Sequence, residues 1–302
     1  MCATCGKLSS SLSFILLVHN LSRAGSVEIV QAYRCCARIA RQSAGNFYWT
    51  FLTLPKFKRR AITALYAFCR AGDDAVDDES ADKAGRLEQM RRRLDLVFAE
   101  SYCDLLTLAL AEAARSFRFE RQPFDDLIMG MATDLQPVRI QTESELDLYC
   151  YRVASTVGLI CLRIFDADSE PARRYAVELG KAMQMTNILR DLREDYARGR
   201  VYLPEEHLQR FGMSGDRLFA ESNAARLCEL VRWEAHKAQD KFELAGQILP
   251  ENLKGKLIAA RAMSAIYRAI LERIARADHF NRRIEITFIH KAFLIYREFL
   301  DL

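Results

Sequence analysis

The feature that most constrains the fold is an almost unbroken helical period. From about Glu28 to the end of the chain, apolar residues recur every three or four positions. The 302 residues include only 13 glycines and 6 prolines, the residues that most often end or bend regular elements. No run alternates apolar and polar side chains, and no Asn-Gly or Asp-Gly pair marks a hairpin. Hydrophobic residues make up 50% of the chain, so long helices can bury a substantial core.

The same period predicts where the helices lie. Start signals support it, since Pro204 with Glu205 and Glu206 gives a first turn with proline and acids. Residues 197–204 form the clearest loop. No low-complexity linker or internal repeat divides the chain, which predicts one all-α domain over residues 27–302. Helices are predicted at 28–44, 57–78, 83–101, 104–119, 124–135, 143–165, 170–197, 204–211, 214–246, 255–278 and 287–300.

The first 26 residues differ from the rest. The apolar run LSFILLV (12–18) follows a single charge, Lys7, and has no clear cleavage site. It is also too short to cross a bilayer. We therefore predict a disordered extension over residues 1–26, or a start codon placed too early. No other segment reaches 18 uncharged apolar residues, which predicts a protein that is not integral to the membrane.

Charge and cysteine usage exclude several classes. The net charge is only +4, and no basic stretch is interleaved with aromatic residues, which argues against nucleic-acid binding. The nine cysteines are scattered and include the adjacent Cys35 and Cys36, a pattern typical of reduced thiols in the cytoplasm. Cys2 and Cys5 have metal-ligand spacing but lack a second pair. The nucleotide-binding, HExxH and GxSxG motifs are absent.

A dense acidic stretch, DDAVDD (73–78), ends an apolar helical pattern. Asp73 and Asp77 lie one turn apart, about 6 Å along a helix axis. Tyr66 and Arg70 continue the same stripe. Like charges at this spacing destabilise a helix by a few tenths of a kcal/mol, and the helix dipole disfavours acids near the C-terminus. A lone acidic pair is most often a solvated face.

A second stripe argues for function instead. The segment QMTNILRDLREDYARGRVYLP (184–204) again places two aspartates, Asp191 and Asp195, four residues apart near a helix end. Gln184 and Asn187 share their face, with Arg190 beside it. Hard cations such as Mg²⁺ take carboxylate oxygens together with substrate phosphates. Two facing helices with such stripes can bracket a diphosphate at the mouth of an apolar channel, which predicts a prenyl diphosphate substrate.

The motifs YAFCRAGDDAVDD, YCYRVASTVG and QMTNILRDLREDYARGRVYLP resemble those of the squalene/phytoene synthase family. The resemblance covers residues 28–300. It implies an all-α isoprenoid-synthase bundle and a prenyltransferase that joins two prenyl diphosphates head to head through a cyclopropyl diphosphate. The segment FYWTFLTLPKFKRRAITALYAFCR is most similar to bacterial presqualene diphosphate synthases of hopanoid pathways. Phytoene synthases share the second acidic motif almost equally well.

The resemblance also assigns roles to residues. Implied metal ligands are Asp73, Asp77, Asn187, Asp191 and Asp195. Implied contacts of the diphosphate or the cation are Tyr66, Arg70 and Arg190, with Tyr149 and Gln184 near the reacting carbons. Tyr267 and Arg283 resemble a late pair that closes over a diphosphate, and Phe47 and Asn46 belong to the substrate site, Asn46 in place of the usual serine. Two further departures are Ser155, whose bulk is expected to trim the channel, and Arg193.

We therefore expect Mg²⁺-dependent condensation of two farnesyl diphosphates to presqualene diphosphate, with Mn²⁺ able to replace Mg²⁺. Alternatives are a phytoene synthase that uses geranylgeranyl diphosphate, a squalene synthase that adds reduction by NADPH, and a non-catalytic assembly or lipid-binding relative. A cytoplasmic monomer or weak dimer is expected, with peripheral contact at the inner membrane surface through the amphipathic residues 291–302. The sequence leaves open the prenyl chain length, the fate of the intermediate and the proton acceptor.

Overall fold

A computed structural model describes residues 18–77, 82–280 and 283–300. The described chain is almost entirely helical, which confirms the predicted all-α class. The helices are α1 (Ser26–Ser43), α2 (Asn46–Phe51), α3 (Lys56–Asp77), α4 (Lys83–Phe98), α5 (Leu105–Phe117), α6 (Gln122–Ala132), α7 (Glu143–Cys150), α8 (Thr156–Phe165), α9 (Glu170–Ala197), α10 (Glu205–Arg210), α11 (Ala224–Ile248), α12 (Ile258–Ala275) and α13 (Phe288–Leu300).

Most predicted helices are found within a few residues of their expected ends, and two segments differ. Helix α2 was not predicted, because six residues are too few to show a period; it begins after Gly45, whose φ of +48° suits glycine. The helix predicted from residue 214 begins only at Ala224. Two short 3-10 turns, Gly215–Arg217 and Glu221–Asn223, precede it.

The N-terminal part of the described chain is ordered. The short strand β1 (His19–Asn20) pairs antiparallel with β2 (Ser101–Tyr102), and the rings of His19 and Tyr102 stack at 5.4 Å. Leu21 is buried in the core. Residues 18–26 were expected to be disordered, but in the structure they include a paired strand and a buried core residue. Residues 1–17, with Cys2 and Cys5, lie outside the described residues, within which the seven cysteines form no disulfide.

The long helix α9 lies at the centre of the bundle and packs against α8, α11 and α12. The close approach of α9 to the segment around Ser155, between α7 and α8, depends on Gly180. A Cβ atom at that position would lie 2.6 Å from the Cα of Ser155. Because that contact is with backbone, only glycine allows α9 to sit this near. Helix α3 packs beside α1 and α5, so that α3 and α9 form two walls of the interior.

The predicted helix 143–165 is interrupted by a π-helical turn, Tyr151–Ser155, between α7 and α8. Such turns occur frequently at functional sites. The Ser155 hydroxyl donates a 2.7 Å hydrogen bond to the carbonyl of Val177 on α9 and is fully buried. The prediction that Ser155 trims the channel is therefore wrong, because its side chain lies in the contact between helices.

Glu143–Phe165 is also the one described segment long and apolar enough to cross a membrane by length and composition. Core helices pass the same test, and 44% of its apolar window is buried within the bundle. Its packing against α9 and α6 accounts for the apolar composition.

Candidate active site

An apolar cavity of about 340 Å³ lies between α2, α3, α8, α9 and α12, as predicted for a central channel. Its body is lined by aliphatic, aromatic and sulfur-containing side chains, among them Leu65, Val157, Leu162, Met183 and Met263. Four acid or amide side chains, Asp73, Asp134, Gln184 and Asn187, also line it. Asp73 is exposed to solvent, so this group marks the mouth of the cavity. The cavity thus suits a ligand with an apolar body and a polar head.

The two acidic stripes meet at this mouth, and Arg200 shows that they do. Its guanidinium donates a 2.7 Å hydrogen bond to Oδ1 of Asp77 on α3. It also donates a 3.3 Å hydrogen bond to the backbone carbonyl of Asp134, and its own backbone N–H donates a 2.9 Å hydrogen bond to the carbonyl of Asp195 on α9. One buried cation that acts on both stripes places them on the same side of the molecule. Residues far apart in the sequence therefore form one acid cluster.

Burial raises the pKa of Asp73 to about 7, and the charges of Asp77 and Asp134 add to the effect while Arg70 opposes it. Water reaches this carboxylate at the cavity mouth, yet protein surrounds it. Burial likewise raises the pKa of Asp195 to about 7, with Asp191 adding to it and Arg200 opposing it. One acid in each stripe is therefore poorly compensated, which makes the cluster a favourable place for a cation.

The other acid in each stripe is paired with arginines. Asp77 contacts Arg198 at 3.4 Å in addition to Arg200. Asp191 accepts two hydrogen bonds from Arg190, at 2.9 and 2.5 Å. Arg283 contacts the same carboxylate through Nε at 3.0 Å. The structure thus brings Arg283 to the second stripe, and its implied role of closing over a diphosphate stays a prediction.

The residues present fit a hard divalent cation in chemistry and charge. Asp73 and Asp195 supply undercompensated carboxylates, and Oδ1 of Asn187 is buried without a hydrogen-bond partner among the described residues. Oxygen donors of this kind are those that Mg²⁺ prefers. Within the described chain no three carboxylate, thiol or imidazole side chains converge closely enough to hold an ion as they stand. For Asp77 or Asp191 to bind an ion, each would have to release an arginine.

The raised carboxylate pKa values predict a pH dependence of metal-free stability. The folded state holds protons that the unfolded chain has lost between about pH 4 and 7, so stability should fall as pH rises through that window. Each group contributes at most about 1.4 kcal/mol per pH unit, and less at Asp73 because water screens it. The free energy of unfolding, measured by urea denaturation at each pH, should fall less steeply with pH in Asp73→Asn/Asp195→Asn than in the wild type. The control Asp240→Asn, at an exposed position, should keep the wild-type dependence on pH. The same dependence of stability on pH in all three proteins would contradict the raised pKa values of Asp73 and Asp195.

Aromatic side chains form the wall next to the acids. Phe47 lies between Tyr66 and Tyr267, with ring centroids at 6.3 and 6.0 Å. Burial raises the pKa of the Tyr267 phenol, although Arg190 and Asn187 beside it lower the pKa in part. Phe47, Tyr66, Tyr149 and Gln184 line the cavity.

Three predicted or flagged residues stand outside this wall. Arg70 does not line the cavity and pairs with Asp74 at 2.6 Å. Arg193 lies over the Phe219 ring at 4.6 Å, away from the acids. Asn46 begins α2, next to the cavity residue Phe47, and its side chain is outside the described set.

One residue of the site was missed by sequence reasoning. Asp134 lies in the 3-10 turn Thr133–Leu135 after α6 and accepts hydrogen bonds from the hydroxyls of Tyr202 at 2.7 Å and Tyr149 at 3.2 Å. Burial raises its pKa, against the effect of Tyr202 and Arg200. A single aspartate after a helix carries no repeated spacing, so only the turn's position beside both stripes identifies it.

Asp134→Ala removes the carboxylate that accepts from the Tyr149 and Tyr202 hydroxyls; these two can hydrogen-bond each other, so one buried hydroxyl is expected to lose its acceptor. An unsatisfied buried donor costs about 1–3 kcal/mol, so urea denaturation should show a loss of that order. Asp134→Asn keeps an acceptor oxygen and should lose less. If both variants lose equal stability, the charge of Asp134 and not its role as acceptor supports the site.

Several solved structures are similar to this one, including the following two. A dehydrosqualene synthase in complex with a ligand aligns with a TM-score of 0.77 and 28% identity, covering 91% of this chain and 98% of that one. A squalene synthase from Alicyclobacillus acidocaldarius aligns with a TM-score of 0.73 and 26% identity, covering 84% and 98%. Fold and site together define an isoprenoid-synthase helical bundle.

Sequence comparison narrows this class. The family model for squalene/phytoene synthase matches residues 40–290. The phytoene synthase of Mycobacterium tuberculosis is 39% identical over 275 residues, covering 88% of this chain and 89% of that protein. The 15-cis-phytoene synthase of Synechocystis is 37% identical over 271 residues, covering 84% and 80%. The chain belongs to the squalene/phytoene synthase family, whose enzymes condense prenyl diphosphates head to head.

Proposed function

We propose that this protein is a Mg²⁺-dependent prenyltransferase that condenses two farnesyl diphosphates to presqualene diphosphate. The observation that carries the proposal is the meeting of two acidic stripes, from α3 and α9, at the mouth of an apolar cavity. The polar mouth suits a diphosphate and the apolar body suits a prenyl chain. The similarity of residues 47–70 to bacterial presqualene diphosphate synthases favours the farnesyl substrate.

Asp73, Asp77, Asn187, Asp191 and Asp195 are the residues that would hold the metal, with Mn²⁺ as a substitute. A bound divalent ion supplies charge neutralisation for the departing diphosphate and for the mutually repelling carboxylates. Arg190 and Arg283 are already at Asp191 and can turn to phosphate oxygens, which arginine binds in a bidentate manner.

In the proposed reaction the cavity must allow the donor to ionise, keep water from the cation and hold the acceptor for attack. The C–O bond of the donor breaks with its electron pair on diphosphate, leaving an allylic cation that the aromatic faces of Phe47 and Tyr66 can stabilise. The apolar lining excludes water from that cation. The 2,3-double bond of the acceptor then attacks, and the cyclopropane closes as a proton leaves. The hydroxyls of Tyr66 and Tyr149 and the released diphosphate are the candidate proton acceptors on this wall.

A second candidate is phytoene synthase activity with two geranylgeranyl diphosphates. It is favoured by the names of the curated relatives, which are 37–39% identical to this chain. A third, squalene synthase activity with NADPH, draws support from the solved structure of that name. The non-catalytic alternative is disfavoured, because retention of four motif aspartates without a ligand is destabilising.

Product analysis separates these candidates. Purified protein is incubated with farnesyl or geranylgeranyl diphosphate and Mg²⁺, with and without NADPH, and products are identified by mass. We expect presqualene diphosphate from the farnesyl substrate whether or not NADPH is present. A product only from geranylgeranyl diphosphate would establish the second candidate, and squalene that appears only with NADPH the third. No product with either substrate, with Mg²⁺ or Mn²⁺, would refute the enzymatic proposal. We further propose a cytoplasmic location, as a monomer or weak dimer, with peripheral membrane contact.

A further inference from the structure

Exposed apolar side chains are concentrated on α2 and α13. These helices carry seven of the fifteen large hydrophobic residues that are exposed in the described chain, and an eighth, Leu52, directly follows α2. We call Trp49 of α2 and the adjacent Leu52, with Phe288, Ile289, Phe293 and Tyr296 of α13, the apolar platform. Exposure reaches 80% at Ile289, 58% at Phe293 and 61% at Tyr296. A contiguous apolar surface of this kind marks a binding face more often than scattered single residues do.

The outward direction of this face is fixed by the inner side of α13. Leu294 is buried there, and Glu298 forms a 2.9 Å ion pair with Arg261 in which both side chains are largely buried. At 3.6 residues per turn the exposed apolar residues cover a continuous arc of roughly 140°. Lys291 and Arg297 lie on either side of that arc, whereas the acidic Glu298 faces inward. Rolling α13 to bury the platform would break a buried charge pair.

Helix α2 is a partition between this surface and the cavity. Phe47, Thr50 and Phe51 line the cavity. Trp49 of the same helix and Leu52, the residue directly after it, line a groove against α13, where the rings of Trp49 and Phe288 lie 4.6 Å apart. A single helix of six residues therefore separates the apolar interior from the apolar exterior.

We propose that the apolar platform docks onto an anionic lipid bilayer, and that prenyl chains pass between the bilayer and the cavity at helix α2. The passage of chains rests on the proposed function, whereas the docking does not. The charges flanking the exposed arc are positive, which complements anionic headgroups, and the chain as a whole carries a net charge of +4.

A second copy of the chain fits this face less well. Helix α13 has 13 residues. A helix of that length is about 20 Å long and 10 Å wide, so the platform offers on the order of 200–300 Å². A stable protein interface needs about 800 Å² from each partner. A bilayer has no such requirement, since each apolar side chain inserts independently.

The test is co-sedimentation of the full-length protein, without substrate, with vesicles of phosphatidylcholine alone or mixed with phosphatidylglycerol. Wild-type protein should sediment with the anionic vesicles and only weakly with the neutral ones. Ile289→Glu/Phe293→Glu should reduce vesicle partitioning at least about tenfold, since two apolar side chains that would insert into the bilayer are replaced by charged ones. Val27→Glu is the matched control, because Val27 is 70% exposed but begins α1, away from the platform.

Three results would overturn the proposal. The first is wild-type protein that stays in the supernatant with every vesicle. The second is a loss of vesicle binding in Val27→Glu equal to that in Ile289→Glu/Phe293→Glu. The third is a dimer that Ile289→Glu/Phe293→Glu dissociates while neither protein binds vesicles, because a second copy would then cover the platform.

Measuring turnover with two forms of the substrate tests the docking and the proposed function separately. With detergent-dispersed substrate the double variant should keep wild-type turnover, and with vesicle-borne substrate it should lose it. Equal turnover of wild type and variant on vesicle-borne substrate would overturn the passage of chains at α2. Vesicle binding by a protein without condensation activity would refute the proposed function alone.

Discussion

Asp73→Ala and Asp191→Ala should each lower turnover by roughly 10²–10³-fold or more, with helical content unchanged. Removal of one group that stabilises developing charge has an effect of this size in a water-excluded site. The two residues come from different helices: Asp73 of α3 lines the cavity, and Asp191 belongs to the α9 stripe whose Gln184 and Asn187 line it. Loss of either should therefore disable the same step. The turnover of each variant is measured by steady-state product formation, and circular dichroism checks that the variant is folded.

The stability of the two variants should differ. Asp73 is poorly compensated, so its removal should not lower the unfolding midpoint. Asp191 holds Arg190, which is 8% exposed, and its loss leaves that buried cation unpaired, so Asp191→Ala should be the less stable variant. The control is Glu194→Ala on the exposed side of α9, which should keep wild-type turnover. Wild-type turnover in either aspartate variant would rule out the proposed role of the cluster.

Gly180→Ala is expected to destabilise the protein by about 2–3 kcal/mol, toward the upper end for overpacking. The new methyl group would approach backbone atoms of Ser155 at 2.6–2.7 Å, and backbone cannot move aside as a long side chain can. Helix α9 would shift away from the π-helical turn, carrying the second acidic stripe with it. Turnover should therefore fall together with the unfolding midpoint in urea.

Gly246→Ala is the matched control for this substitution. Gly246 also lies inside a long helix, α11, but a Cβ atom there would meet nothing within 4 Å. Replacement of such an exposed helical glycine by alanine stabilises by about 0.5–1 kcal/mol. Opposite signs at the two glycines would support close packing of α9 as the cause. A neutral Gly180→Ala would show that the helices can separate without loss.

Several parts of the site could be predicted because they depend on local spacing. A helix places residues three and four apart on one face, so Asp73 and Asp77, and likewise Asp191 and Asp195, were assigned to common stripes without coordinates. The match of the stripes in two segments gave the expectation that they act together. Arg283 could be placed only through the resemblance, since its segment has no regular structure to fix its direction.

Other parts could not be predicted because they depend on contacts between distant segments. Asp134 and Arg200 have no periodic companions, and their importance arises only where the turn after α6 and the loop after α9 meet the end of α3. Helix α2 is too short to show a period. The direction of the Ser155 side chain depends on how closely α8 and α9 approach each other.

The sequence by itself determined that this protein is an all-α bundle with two acid-bearing helices, because hydrophobic period and side-chain spacing act within a single helix. Only the tertiary structure decided which carboxylates are compensated by arginines and which are not, and that α2 separates the cavity from an exposed apolar face. Those properties depend on burial and on charges brought together from different helices. Local pattern does not carry that information, because burial and electrostatic interactions depend on distance in space and not on separation along the chain.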